Sequence, residues 1–171
     1  SVGGVVSVVG RSGFRYDRVK ESNGDEAVAW RNTPKLLEDD NSIGDAYQKI
    51  SSELNISVLK LGYMPEDMFF ENLTCEHQRA VLKFSYNDHI VRLIEVGDIA
   101  ATDSIHVSDR IQFDEYYNRK VGENIILRQN KLEGGRIEFS GEIMTVEAYY
   151  YFGGIMEESE FRKIIEGMYL D

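Results

Sequence analysis

Two neighbouring stretches with the residue types of β-strands constrain the fold of this chain most. Residues Ala80–Tyr86 are rich in side chains that suit a pleated surface. Residues Ile90–Val96 alternate in a way that leaves both faces of a strand partly apolar. The polar tripeptide Asn87-Asp88-His89 lies between them as a turn. The sequence therefore predicts a hairpin covered by strands on one side and by a helix on the other.

Further strand signals occur on both sides of this hairpin. The other predicted strands are Phe14–Val19, Ala27–Arg31, Val58–Leu61, Met68–Leu73, Ile125–Arg128, Ile137–Phe139 and Met144–Phe152. The first two flank Asn23-Gly24-Asp25, and Asn-Gly is favoured where both central residues of a turn need positive φ. Gly153-Gly154 is predicted to close the last strand. Residues Gly97–Asp114 lack a clear period and are predicted to be irregular.

Two amphipathic segments predict helices. Ser42 is a suitable N-cap for a helix over residues 43–54, whose apolar residues share one face, and Asn55 is a suitable stop. The preceding residues 33–41 contain a proline and an acidic run, and they are predicted to be a loop. Acidic residues open a second helix over residues 157–168, where they favour the positive end of the helix dipole. The fold class is therefore α+β, with an antiparallel sheet covered by two helices.

Composition limits the classes of function. The 171 residues suit one domain over residues 1–171, and 42% of them are hydrophobic, as in ordinary globular proteins. The formal net charge is -11, and the basic residues do not cluster, so nucleic acid is not an expected partner. No stretch approaches the roughly 20 apolar residues of a membrane-spanning helix. Direct membrane insertion by this segment is therefore not expected.

Residues that often bind metals or cofactors are scattered. His77, His89 and His106 lie in three different segments, and Cys75 is the single cysteine. A lone cysteine cannot form an internal disulfide or a thiolate metal site by itself. The glycines match neither a phosphate loop nor a dinucleotide fingerprint. We therefore assign no catalytic, cofactor-binding or metal-binding residues, and we predict that the chain is not an enzyme.

Acidic residues in the 97–117 region support one enzymatic alternative. Asp98, Asp103, Asp114 and Glu115 lie in or beside the predicted irregular segment. Acid–base chemistry needs two carboxyl groups in one cleft, in environments that separate their pKa values. The alternative function is therefore a carboxylate-dependent hydrolase, and it requires these side chains to converge.

The run Tyr149-Tyr150-Tyr151-Phe152 is the most unusual local feature. On a strand, Tyr149 and Tyr151 point to one face, and the other two residues point to the opposite face. Tyrosine combines an apolar ring with a polar tip and is enriched in interfaces. Tyr149 and Tyr151 are therefore our candidate binding surface. The alternative is that one pair belongs to the core and the other lies at a margin of the sheet.

The order of the C-terminal segments resembles that of a known family. The segments are, in order, Gly62-Tyr63-Met64-Pro65-Glu66, the hairpin Ala80–Val96, the strands of Ile125–Phe139, the run Val146–Gly154, and the helix around Glu160–Ile165. Over residues 56–170 this order is similar to the DUF4367 family of membrane-anchored proteins of the Firmicutes, some of which resemble anti-sigma factors. The family often has a tryptophan strand before the tyrosine strand, whereas the single tryptophan here is Trp30.

The resemblance implies a LolA/LolB-like fold: a curved, half-open antiparallel barrel with helices against its concave face. It also implies an extracytoplasmic location, with an N-terminal membrane anchor outside this segment. The expected function is a non-enzymatic sensor or interaction domain for a protein, a peptide or an apolar ligand. A cytoplasmic acidic interaction domain is a further alternative. A single apolar span encoded upstream of Ser1 would favour the extracytoplasmic location, and a methionine start near Ser1 the cytoplasmic one.

Overall fold

The protein is described here by a computed structural model that covers residues 15–19, 28–31, 35–98 and 110–171. These residues form a mixed α+β fold, as predicted. The helices are α1 (Lys35–Leu54) and α2 (Glu158–Gly167). The strands are β1 (Arg15–Val19), β2 (Val28–Arg31), β3 (Leu59–Leu61), β4 (Met68–Glu76), β5 (Arg79–Tyr86), β6 (His89–Val96), β7 (Ile111–Asn118), β8 (Glu123–Lys131), β9 (Ile137–Met144), β10 (Tyr149–Ile155) and β11 (Met168–Leu170).

Most of the strands belong to one sheet. Its seven strands follow the order β4-β5-β6-β10-β9-β8-β7. The pairs β6–β10, β10–β9, β9–β8 and β8–β7 are antiparallel. Because β4 and β7 end this order without pairing to each other, the sheet of described strands is open rather than a closed barrel. Strands β1 and β2 form a separate antiparallel pair, which confirms the predicted pairing of these segments; the turn at residues 23–25 lies outside the described residues.

The chain separates by its packing into two compact units made of alternating stretches. One unit contains residues 67–73 and 82–90 and the described residues before 49. The other contains residues 49–66, 74–81, 91–98 and 110–171. The prediction of a single domain over residues 1–171 stays a prediction. All residues of the candidate site belong to the second unit.

An apolar layer between α2 and the sheet forms the core of the second unit. We call the sheet face beneath α2 the apolar face. The ring of Phe161 on α2 stacks on Phe139 of β9 with centroids 5.2 Å apart, and on Phe152 of β10 with centroids 6.4 Å apart. Gly141 of β9 lets the helix approach, because a Cβ atom there would lie 2.8 Å from Cδ1 of Ile165. The predicted helix over 157–168 is thus confirmed to within one residue at each end.

Helix α1 starts earlier than predicted. It begins at Lys35, so the predicted loop over residues 33–41 is wrong from Lys35 onward, and Ser42 lies inside the helix rather than at its cap. The acidic run that suggested a loop therefore lies within the helix. The predicted end is confirmed: Leu54 is the last helical residue, and Asn55 adopts a left-handed conformation with φ of 55°.

Three predicted boundaries in the sheet also need correction. The predicted strand Met144–Phe152 is interrupted at residues 145–148, so Met144 ends β9 and Tyr149 begins β10. Gly153 and Gly154 lie inside β10 instead of closing it, since both are paired to β9. Residues 111–114, predicted to be irregular, belong to β7, and residues 99–109 lie outside the described part of the chain.

The predicted hairpin of β5 and β6 is confirmed, with a shorter turn. Asn87 and Asp88 have positive φ values of 48° and 67°, which suit a two-residue hairpin turn, and His89 already belongs to β6. On β5, buried and half-buried residues alternate along the whole strand. β5 therefore has one face that is more deeply buried than the other, whereas residues 93–96 of β6 are buried on both faces.

Candidate functional site

The sheet face opposite the apolar face carries Tyr149 and Tyr151, and we call it the mixed face. Cross-strand pairing fixes its members. Tyr151 lies opposite Glu142 of β9 and opposite Ile94 of β6, and Tyr149 lies opposite Met144 and Val96 in the same two strands. Side chains that are directly opposite in an antiparallel pair share a face. The mixed face therefore combines aromatic, aliphatic and charged side chains in adjacent positions.

Tyr149 and Tyr151 are buried in this structure. Their exposed fractions are 3% and 5%, and they form an apolar cluster with Ile94 and Val96, against which Val81 packs. The run therefore contributes to both faces: its other two residues are buried on the apolar face. The two tyrosines lie together on one face as predicted, and their role as a binding surface stays a prediction.

Polar groups on β8 and β9 hold the hydroxyl end of Tyr149. The hydroxyl donates to Oε2 of Glu142 at 2.6 Å, and Nε of Arg128 donates to Oε1 of the same carboxylate at 2.8 Å. Burial, followed by the Glu142 carboxylate, raises the pKa of Tyr149 far above its ordinary value. Burial also raises the pKa of Tyr151 to about 12. Both phenols therefore remain neutral hydrogen-bond donors at neutral pH.

Tyr151 lies along its own strand, over Gly153. A Cβ atom on Gly153 would be 2.5 Å from the Tyr151 hydroxyl oxygen, so only glycine leaves room for this orientation of the ring. The guanidinium of Arg110 lies over the ring, 4.9 Å from its centroid, and 3.6 Å from a carboxylate oxygen of Glu138. Two buried polar atoms here, Nε of Arg110 and Oγ of Ser140, have no hydrogen-bond partner among the described residues.

The mixed face becomes solvent-exposed at one end. Glu115 of β7 pairs with Ile126 of β8, which pairs with Glu142 of β9. Tyr117 and Met144 lie two residues beyond Glu115 and Glu142, so they project from the same face at the same end of the sheet. Their exposed fractions are 56% and 51%. Two large apolar side chains are therefore exposed at this end of the mixed face.

A turn beside these residues presents a third apolar side chain. Val146 is 98% exposed, at the tip of the connection between β9 and β10. Two hydrogen bonds stabilise the turn. The backbone N–H of Thr145 donates to the carbonyl of Ala148 at 2.9 Å, and Oγ1 of Thr145 accepts from the backbone N–H of Ala148 at 3.0 Å. We call Tyr117, Met144 and Val146 the rim.

The sequence did not single out the rim. Tyr117 has no predicted role, and Met144 and Val146 lie in the predicted strand Met144–Phe152. The exposure of Tyr117 and Met144 depends on which strands pair across the sheet. A signal for Val146 was present, because Thr145 can accept hydrogen bonds from nearby backbone amides in a turn.

The acidic residues of the hydrolase alternative do not converge where they are described. Asp114 and Glu115 are consecutive residues of β7 and point to opposite faces. Asp114 forms an ion pair of 2.9 Å with Arg162 of α2. Hydrogen bonds from the Glu115 backbone and from Arg162 lower the pKa of Asp114, which opposes a role as a proton donor. Asp98 is exposed, and Asp103 lies outside the described residues.

The histidines and the cysteine are dispersed. His77 lies in the turn between β4 and β5, His89 begins β6, and His106 is not among the described residues. Burial raises the pKa of Cys75, which is half-buried on β4. Within the described ranges, no three or more His, Cys, Asp or Glu side chains are placed to hold a metal ion.

Comparisons with known proteins found no matching protein family, no similar curated protein and no similar solved structure. Residues 56–170 therefore keep their resemblance to the DUF4367 family as a prediction. Neither α1 nor α2 is long and apolar enough to cross a membrane.

Proposed function

We propose that this chain is a non-enzymatic interaction domain that binds a segment of a partner protein or peptide at the rim. The exposure of Tyr117, Met144 and Val146 at one end of the mixed face is the observation that supports this most. Tyrosine and methionine are enriched in protein interfaces. Tyr149 and Tyr151 form the buried base of this end of the face, and Tyr149 lies directly opposite Met144.

The packing under α2 favours a peptide over an apolar small molecule. An apolar ligand would need room between the helix and the sheet, where Phe161, Phe139 and Phe152 stack on one another. Phe161 is fully buried, and the space above Gly141 is taken by Ile165. The described side chains fill this layer themselves, which leaves the rim as the better candidate for contact with a partner.

The net charge of the chain, which is formally -11, favours a basic partner segment. Charge at the rim itself is mixed: exposed Glu115 and Glu147 flank Tyr117 and Val146, and the exposed pair Arg119-Lys120 follows Tyr117. Opposite charge accelerates association and excludes acidic competitors. The proposed partner therefore presents apolar side chains interspersed with lysine or arginine.

The resemblance to the DUF4367 family supports an extracytoplasmic location for this domain, attached to a membrane anchor outside this segment. It also supports a LolA-like curvature of the sheet and a sensor role in an anti-sigma-factor-like protein. A cytoplasmic interaction domain would use the same rim. It would differ from the extracytoplasmic domain in the compartment where the partner is found.

Selection of random peptides displayed on phage tests the proposal. The purified chain should enrich peptides that combine apolar and basic residues. The double variant Tyr117→Ala/Met144→Ala should lower their affinity at least tenfold, as expected for two central contact residues. Ile111→Ala is the matched control, because Ile111 is 66% exposed on the same strand but at its opposite end.

Two results would contradict the proposal. One is a selection that enriches no sequence above background. The other is binding that the rim variant and the Ile111→Ala control weaken equally, which would place the contact elsewhere on the chain.

A further inference from the structure

Glu95 is a fully buried carboxyl group on β6, with an exposed fraction of 0%. Its Oε1 accepts a hydrogen bond of 2.9 Å from the backbone N–H of Leu59, and its Oε2 has no hydrogen-bond partner among the described residues. A buried carboxylate is normally paired with a cation or bound by several donors. Glu95 has one donor, so its surroundings suit the neutral acid better than the ion.

Glu95 and its cross-strand neighbour hold the same backbone segment. Tyr150 lies directly opposite Glu95 on β10, and its hydroxyl donates to the carbonyl of Ser57 at 2.6 Å. Two side chains on the apolar face therefore bind residues 57–59 at two points. We call this pair of contacts the clamp.

The clamped segment leads into a small ribbon. β3 begins at Leu59 and pairs antiparallel with β11, with Leu170 opposite Leu59. Val58 and Asp171 extend this pairing through two backbone hydrogen bonds of 3.2 Å and 3.1 Å. Each ribbon strand has three residues, whereas β6 lies within the sheet between β5 and β10. If Glu95 is to reach water, the ribbon is the element with the least structure to lose.

Few charged groups among the described residues face Glu95. From β3, Lys60 is the cation that favours the ionised form, but its ammonium group binds Asp171 at 2.7 Å. From β10 the facing titratable group is Tyr150, and from β4 the Cys75 thiol is close enough for its pKa to be raised by Glu95. The fully buried residues of β5 near this end, Ala80 and Leu82, are apolar.

We propose that Glu95 is a protonation-dependent latch, which holds the β3–β11 ribbon on the sheet while it is neutral and loosens the ribbon as rising pH favours its ionised form. Opening gives the carboxylate access to water, and closure requires uptake of one proton. This inference is independent of the rim, because it concerns the attachment of the ribbon and needs no partner.

The direction of the pH effect follows from the environment of Glu95. Burial raises its pKa from the ordinary 4.5 to about 8, so the closed state binds the proton more tightly than the open state does. The closed ribbon is most stable at low pH, loses stability as pH rises from about 5 to 8, and changes little above that range. Because opening releases one proton, the equilibrium constant for opening of the ribbon rises about tenfold per pH unit within this window.

Hydrogen exchange of backbone amides measures this opening. In the native chain, protection of the β3 and β11 amides should fall about 100-fold, relative to Glu95→Gln, between pH 5.5 and 7.5. Comparing the two proteins at each pH removes the intrinsic effect of pH on exchange. Glu66→Gln, at an exposed acid in the same unit, is the control and should follow the native chain.

The proposal is overturned if the ratio of amide protection in the native chain to that in Glu95→Gln does not change with pH. An equal loss of protection in β9 and β10 would also overturn it, because that result means global unfolding rather than release of the ribbon. If Glu95→Gln does not fold, the carboxyl carbon of Glu95 can be titrated by NMR in the native chain. A midpoint well above 4.5 supports the latch, and a midpoint near that ordinary value rules it out.

Discussion

The substitution Gly153→Ala tests how the mixed face is built. Gly153 lies in the middle of β10, and the phenol of Tyr151 lies over it. An added Cβ atom would be 2.5 Å from the Tyr151 hydroxyl oxygen, 2.9 Å from Cζ and 3.1 Å from the backbone oxygen of Phe139. Nonbonded carbon and oxygen atoms usually stay roughly 3.5 Å apart or more. The end of the ring must therefore move by about 1 Å.

The cost of that movement follows from what surrounds the ring. Tyr151 is 5% exposed and has the Arg110 guanidinium over one face, so the ring has little free space to enter. Inserting one methyl group into such a packed site destabilises a protein by about 1–3 kcal/mol. For a chain of this length, that corresponds to a fall in Tm on the order of 5 °C.

A double-mutant cycle separates the clash with Tyr151 from other effects of the methyl group. Thermal and urea unfolding are measured for the native chain, Gly153→Ala, Tyr151→Leu and the double variant. Leucine removes the phenol end, so Gly153→Ala should cost at least about 1 kcal/mol less in that background. A neutral Gly153→Ala variant would refute the reasoning. Equal costs in both backgrounds would refute it too, since they would place the clash at the Phe139 backbone.

Two further substitutions test the packing elsewhere. Asn118→Ala should destabilise the chain by about 2–4 kcal/mol in urea unfolding. The buried side-chain amide of Asn118 donates to the carbonyls of Ile165 and Met168, and its oxygen accepts from two backbone amides. A loss below about 1 kcal/mol would mean that water replaces these hydrogen bonds. Gly44→Ala should raise stability by about 0.5–1 kcal/mol, because a Cβ atom at this position in α1 meets no atom within 4 Å; a lower Tm would contradict the open environment.

The predictions from sequence succeeded where local pattern determines structure. The residue types of Ala80–Tyr86 and the alternation in Ile90–Val96 predicted the confirmed hairpin. The apolar spacing in 157–168 predicted α2, because strand and helix periods differ clearly. Asn55 was recognised as a stop because asparagine tolerates the left-handed conformation that ends a helix. These elements depend on neighbours within a few residues.

Predictions failed where the same residue types serve two purposes. Glycine pairs usually mark turns, yet Gly153 and Gly154 lie inside β10 because Tyr151 and Val91 need the space. An acidic run usually marks a loop, yet residues 38–40 lie within α1. In both cases, the deciding interaction involves a neighbouring element or the full extent of the helix.

The candidate site was predicted only in part. Tyr149 and Tyr151 were assigned correctly to one face, since strand alternation is a local property. Their burial, and the exposure of Tyr117 and Met144, depend on the order of strands in the sheet. In the sequence Glu95 is one member of an alternating strand, and its neighbours do not reveal that the opposite residue is Tyr150.

The ribbon joins parts of the chain that are synthesised far apart in time. Lys60 and Asp171, which pair across it, are separated by 111 residues. Local pairs such as the β5–β6 hairpin can close while the ribosome is still adding residues, but β3 must wait until β11 has emerged. Until then Leu59 lacks its β11 partner, and the Glu95 carboxyl remains open to water and ionised at neutral pH. Closure of the ribbon is therefore expected to consume a proton, so an acidic compartment would favour it.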